Sequence, residues 1–149
     1  MPYWLLKSEP HEYSLADLQR DRTSLWEGVR NYQARNYLQA MQKGDFAFFY
    51  HSSTQALGIA GLARVQHTNL VDSSQFEPSS PYFDPKSTKE NPRWWTVELE
   101  FVQAFPRVIA LDTLREHFSS EELILLRRGN RLSVMPVEEA VAKRILRLK

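Results

Sequence analysis

Residues 44–52 read GDFAFFYHS, and the segment Phe46 to Tyr50 within them is apolar on both alternating faces. Successive side chains of a strand point to opposite sides, so such a run predicts a central strand covered on each face. Downstream, Gly58 to Val65 (GIAGLARV) predicts a second strand of this kind. Its Gly58 and Gly61 mark a bulge or tight bend, the device by which small barrels turn corners. Upstream, Tyr3 to Lys7 is a short apolar run closed by Pro10, which disfavours helix before it and predicts a first strand. Trp95, Val97, Leu99 and Phe101 alternate with Trp94, Thr96, Glu98 and Glu100. That spacing predicts a half-buried strand whose core face carries Trp95 and whose opposite face carries Trp94.

Helical signals lie between these strands. Ser14 followed by Asp17 forms a Ser-x-x-Asp capping box, with Leu15 and Leu18 as the apolar face. Asn31 to Gln42 has helical spacing, with Tyr37, Leu38 and Met41 apolar and Gly44 as the stop. Asp112 and Ser119 or Ser120 are expected to cap two short helices, the second running from Glu121 to Arg128 and ending at Gly129. Arg131 to Val137 predicts a last extended piece, and a final helix from Glu138 turns Val141, Ile145 and Leu148 inward. Residues 72–92 are rich in Ser, Pro, Asp and Lys without periodicity, which predicts a long ordered loop of functional use. Curved strands with short helices between them predict a mixed α/β (α+β) fold, a small barrel-like sheet flanked by helices, and residues 1–149 as one domain.

Composition narrows the function. Lys and Arg total 19 against 18 acidic residues, a formal charge of +1, which excludes a strongly basic polyanion binder and requires any nucleic-acid affinity to come from a local patch. With no cysteine there are no disulfides, thiolate metal sites or cysteine nucleophile, which fits a reducing cytoplasm. No apolar stretch reaches membrane-spanning length, so no membrane partner is expected. His11, His51, His67 and His117 have no metal-ligand spacing, and there is no Walker loop, GxGxxG or GxSxG, so neither metal nor cofactor is expected. A monomer is expected, since no heptad or self-pairing face is visible.

Four tryptophans remain to be placed. Trp4 and Trp95 alternate in phase with core residues. Trp26 precedes Gly28 and a polar string, and Trp94 follows the long loop. On spacing alone, the last two serve equally as core residues or as planes on which a flat base stacks. Asn31 reads first as a helix N-cap, while Arg30 and Arg35 beside it suit either a solvated face or a bidentate phosphate clamp. Lys7, Ser8 and Glu9 end the first strand and His51, Ser52 and Ser53 end the central one, so polar clusters close two apolar strands as at a pocket mouth. Lys86, Lys89, Arg93, Arg127, Arg128 and Arg131 form local basic runs.

The segments YWLLKSEP (3–10), WEGVRNYQARNYLQAM (26–41), GDFAFFYHS (44–52), GIAG (58–61), YFDPKST (82–88), NPRW (91–94) and RLSVMPV (131–137) follow one another in the order seen in EVE domains. The chain resembles a stand-alone bacterial EVE protein over nearly its whole length. That resemblance implies a PUA-like barrel similar to YTH domains, which read a methylated adenine in RNA through an aromatic cage. It further implies non-catalytic recognition of a modified base, such as methylated or hydroxymethylated cytosine, in DNA or RNA. The base pocket it implies comprises Lys7, Ser8, Glu9, Trp26, Val29, Arg30, Asn31, Tyr50, His51, Ser52, Trp94 and Ser133. Trp26 and Trp94 would cage the base, Ser8, Asn31 and Ser52 would bond its edge, and Arg30, Arg35, Lys86, Arg93 and Arg131 would hold phosphates. The alternative is a small enzyme acting on a nucleotide or base through Glu9 and His51.

Overall fold

The computed structural model of the chain describes residues 2–149. Six strands run β1 (Tyr3–Ser8), β2 (Thr23–Leu25), β3 (Phe46–His51), β4 (Gly58–Val71), β5 (Trp95–Ala110) and β6 (Val134–Val137). Four helices join them: α1 (Leu15–Asp21), α2 (Tyr32–Ala40), α3 (Leu111–His117) and α4 (Glu139–Leu148). The sheet order is β2-β5-β4-β3-β1-β6, with β1 and β3 parallel and the other neighbours antiparallel. β2 and β6 are its edges, so the expected barrel is instead an open mixed α/β sheet.

β3 lies at the centre, as its two-sided apolar run predicts. Ala47 and Phe49 enter one core with Trp4, Leu6, Val65, Val97 and Leu99, under α1 and α2. Phe48 and Tyr50 enter a second core on the opposite face with Leu5, Ile59, Phe105 and Met135, under α3 and α4. Both long strands serve both cores: β4 gives Ile59 and Leu62 to the second and Ala63 and Val65 to the first. Register shifts along the β4–β5 ladder permit this, because an extra residue exchanges the two faces of a strand. Gly61 is required where these strands pass, since a Cβ there would stand 2.3 Å from the Gln103 carbonyl oxygen.

The capping box of α1 forms in full, Ser14 receiving the Asp17 N–H at 3.1 Å while Asp17 receives the Ser14 N–H at 2.8 Å. Elsewhere tertiary packing redraws the expected bounds. α2 stops at Ala40 because Met41 turns extended, well before Gly44. Asp112 lies inside α3, whose N-cap is Ala110. Residues 121–128 form no α-helix: Ser119 and Glu122 bond each other's backbone, and only a 3-10 turn, Ile124–Leu126, follows. β2 carries no sequence pattern of its own and exists because it pairs with β5. The two adjacent indoles exchange their expected environments: Trp94 is 5% exposed while Trp95 is only partly buried.

Candidate functional site

Parallel pairing of β1 and β3 sets their polar ends side by side, and the Ser52 N–H donates to the Ser8 carbonyl oxygen at 2.9 Å. The Lys7 N–H donates to the Ser133 carbonyl oxygen at 2.8 Å, bringing in the approach to β6. Lys7, Ser8, Ser52 and Ser133 thereby form one end of a cavity of about 620 Å³. Its walls come from the segment after β2, where Trp26 donates its backbone N–H to the Val97 carbonyl at 2.9 Å and accepts the Thr96 hydroxyl. Trp26 is 8% exposed and meets Phe49 edge to face at 5.4 Å, presenting little more than part of one ring to the cavity.

Tyr82, 36% exposed, supplies a further aromatic wall from the long loop, and Tyr13 also lines the cavity. Its ring lies so close to Gly28 that a Cβ there would stand 2.8 Å from it. Gly28 also has φ +94, a left-handed conformation open to glycine, so the approach and the turn both require that residue.

Two buried polar hubs hold the Tyr82 loop. Asp72 accepts the Gly28 N–H at 2.8 Å and Arg30 Nη1 at 3.0 Å. Burial pushes its carboxyl up, but the bonds from Arg30, Ser74 and Gly28 outweigh this and hold it below the usual carboxylate range. Arg30 further donates to the carbonyl oxygens of Tyr82 at 2.9 Å and Val29 at 2.8 Å, and to Ser74 Oγ at 3.0 Å. Gln75, fully buried, donates to the Asp72 and Trp94 carbonyls at 2.6 and 2.8 Å and accepts from Ser87 and from the Arg93 and Trp94 N–H groups. Internal polar pairing of this kind is how a stretch without apolar periodicity becomes ordered.

Of the twelve residues expected to line a base pocket, Lys7, Ser8, Glu9, Trp26, Val29, Arg30, Ser52 and Ser133 share this cavity. Four do not. Trp94 is outside the lining: its ring stacks on Tyr32 at 4.8 Å and 15°, and its Nε1 donates to Asp84 Oδ2 at 2.8 Å, so it anchors the loop that carries Tyr82. Asn31 accepts the Ala34 N–H at 2.9 Å as the N-cap of α2. Tyr50 faces the second core, because neighbouring strand residues point opposite ways. His51 Nε2 accepts the Leu15 N–H at 3.1 Å, and burial lowers its pKa below the ordinary histidine value. With that nitrogen engaged and Glu9 bonded to Ser53 and His11, the two do not form an acid–base pair across the cavity.

Among the expected phosphate holders, Arg30 is bonded on every nitrogen within the protein, and Arg35 donates to the Arg93 carbonyl at 3.0 Å and to Asn36. Arg93 is partly exposed, Lys86 is exposed on the loop, and Arg131 is exposed on the cavity lining. Sequence patterning passes over Glu12, Tyr13, Ser24, Leu25, Glu27, Gly28 and Tyr82, which complete the lining. The motif YFDPKST contains Tyr82, and its aromatic residue within a polar loop is the signal that could have found it. Glu9, His11 and Glu12 come within metal-ligand reach of one another at a largely exposed turn. Among the described residues, no helix is long and apolar enough to cross a membrane.

The family model of the EVE domain matches residues 2–148. The chain belongs to the EVE-domain family. This EVE domain is 38% identical to human thymocyte nuclear protein 1 over 156 residues, covering 92% of this chain and 69% of that protein. The same human protein, solved in complex with 5-methylcytosine-containing DNA, superposes with TM-score 0.93 at 36% identity, covering 99% of this chain and 97% of that one. A Pseudomonas syringae protein superposes with TM-score 0.94 at 46% identity, covering 98% of each chain. The likeness extends, in fold alone, to the YTH-domain protein mmi1, with TM-score 0.56 at 10% identity, covering 99% of this chain and 80% of that one.

Proposed function

We propose that this EVE domain binds nucleic acid by taking one base, turned out of its stack, into the cavity between Trp26 and Tyr82, without chemistry on it. The observation that carries this reading is the pairing of two aromatic walls with a polar end built from Lys7, Ser52 and Ser133 in a space of about 620 Å³. Aromatic contact offsets the few kcal/mol needed to unstack the base. Arg131, Lys86 and Arg93 would attract the flanking phosphates, so affinity should fall with salt. The human relative solved with 5-methylcytosine-containing DNA favours a modified cytosine as the base. The occupied Nε2 of His51 speaks for binding over turnover.

The test is equilibrium binding of DNA and RNA oligomers carrying cytosine, 5-methylcytosine or 5-hydroxymethylcytosine at one site, at two salt concentrations, with the oligomers recovered and analysed afterwards. Tyr82→Ala removes an exposed ring outside both apolar cores and should fold normally. It is expected to weaken binding by about 1–3 kcal/mol, the worth of one base–aromatic stack. Equal affinity of Tyr82→Ala and the wild type would reject the cavity as the base site, and chemically altered oligomer would reject the non-catalytic assignment.

A further inference from the structure

Tyr32, the first residue of α2, is 51% exposed, more than any other large apolar side chain among the described residues. One face of its ring is taken, because it stacks on the buried Trp94 at 4.8 Å and 15°. The Arg35 guanidinium lies 4.8 Å from the Tyr32 ring centre and 6.0 Å from that of Trp94. A cation centred over the outward face of Tyr32 would stand much farther from Trp94, so Arg35 sits beside the stack and leaves that face open. Its bonds go to uncharged oxygens, Asn36 Oδ1 and the Arg93 carbonyl, so among the described residues no carboxylate cancels its charge. Inward, the same stack reaches the cavity: the Arg30 guanidinium lies 5.1 Å from the Trp94 ring and 5.7 Å from that of Tyr82, on the lining. Tyr32 itself is outside the lining.

Resting on the base-cavity reading above, we infer that the outward face of Tyr32 is a second stacking plane, for another base of the strand whose flipped base fills the cavity. Trp94 backs the ring and holds it in place, so little side-chain freedom is lost when a base lies on it. Arg35 beside it attracts the phosphate of that nucleotide. An open aromatic plane next to an uncancelled cation suits a flat group tethered to an anion, whereas an apolar peptide would bring nothing for the charge. Stacking tolerates any base, so this plane adds affinity and leaves the choice of base to the cavity.

The experiment measures binding of single-stranded oligomers with one central 5-methylcytosine, intact or with an abasic site walked through the positions on either side, to the wild type, Tyr32→Ala and Tyr32→Phe. On the intact oligomer Tyr32→Ala is expected to lose on the order of 10-fold in affinity at an unchanged salt slope, and Tyr32→Phe to keep it. An abasic site at one flanking position should cost the wild type the same factor and Tyr32→Ala nothing further, the mark of a ring and a base that act together. A loss in Tyr32→Ala that is equal on every oligomer overturns the inference, since it marks a disturbed Trp94 and no stacked base. Full wild-type affinity in Tyr32→Ala overturns it too. Both results leave the cavity reading standing as long as removal of the central base alone weakens the wild type. If that removal has no effect, the cavity reading falls, and the second plane defined against it falls with it.

Discussion

Arg30 Nη1 lies 3.0 Å from Asp72 Oδ2, and through this pair the segment that carries Trp26 is tied to the loop that carries Tyr82. The Asp72 side chain is 2% exposed, so the carboxylate has almost no water to fall back on. The two aromatic walls are therefore fixed relative to each other by a buried ion pair, with no direct ring contact required.

Asp72→Ala removes the carboxylate partner of the Arg30 guanidinium and the acceptor of the Gly28 N–H. We expect a loss of about 3 kcal/mol in urea unfolding, typical of breaking a partly desolvated pair. Since the folded-state carboxyl is held below 3.8, this contribution is present above that pH and fades as pH falls through the folded value.

Gly28→Ala places a methyl group against the Tyr82 ring in a backbone conformation with φ +94. A cost of about 1–3 kcal/mol is expected from the strained backbone. Oligonucleotide affinity should fall with it, because Tyr82 must move outward. Unchanged affinity with reduced stability would separate the wall from the turn.

His51 accepts the Leu15 N–H only while its Nε2 is unprotonated. Its pKa is lowered in the fold, so the unfolded chain binds a proton at higher pH than the folded one. Stability from the neutral ring is complete above about pH 6.5 and declines as pH drops through the window below it. His51→Gln keeps an acceptor that does not titrate, and its thermal midpoint is expected to fall less than the wild type's between about pH 7 and about pH 5. Parallel curves for the two proteins would refute this.

Gln75→Leu leaves the Trp94 N–H without its side-chain acceptor inside the loop and the Arg93 N–H with Ser87 Oγ alone, and it removes the donor to the Asp72 and Trp94 carbonyls. We expect about 3 kcal/mol of destabilisation. Amide exchange should speed up across residues 72–94 while β1 and β3 stay protected. Uniform exchange across both regions would show that the loop and sheet open as one unit.

Much of the frame was legible because its causes are local. The unbroken apolar run of Phe46–Tyr50 requires cover on both faces, and Ser14 with Asp17 closes a capping box over three residues. The order of motifs from YWLLKSEP to RLSVMPV was enough to recognise the family, and strand ends at Lys7–Ser8 and Ser52 announced a polar cluster. Alternation could not assign Trp94, because a residue one step before a strand takes its direction from the loop behind it, here through Asp84 and Gln75. Nor could it show that Arg30 faces inward to Asp72, 42 positions away, or that Tyr82 closes over Gly28. Local periodicity and capping thus determined five of the six strands and three of the helix starts, and the order of motifs determined the family. The open sheet and the partners of every cavity side chain were decided by tertiary contact, since a ring or a charge acquires its role only from the distant groups that pack against it.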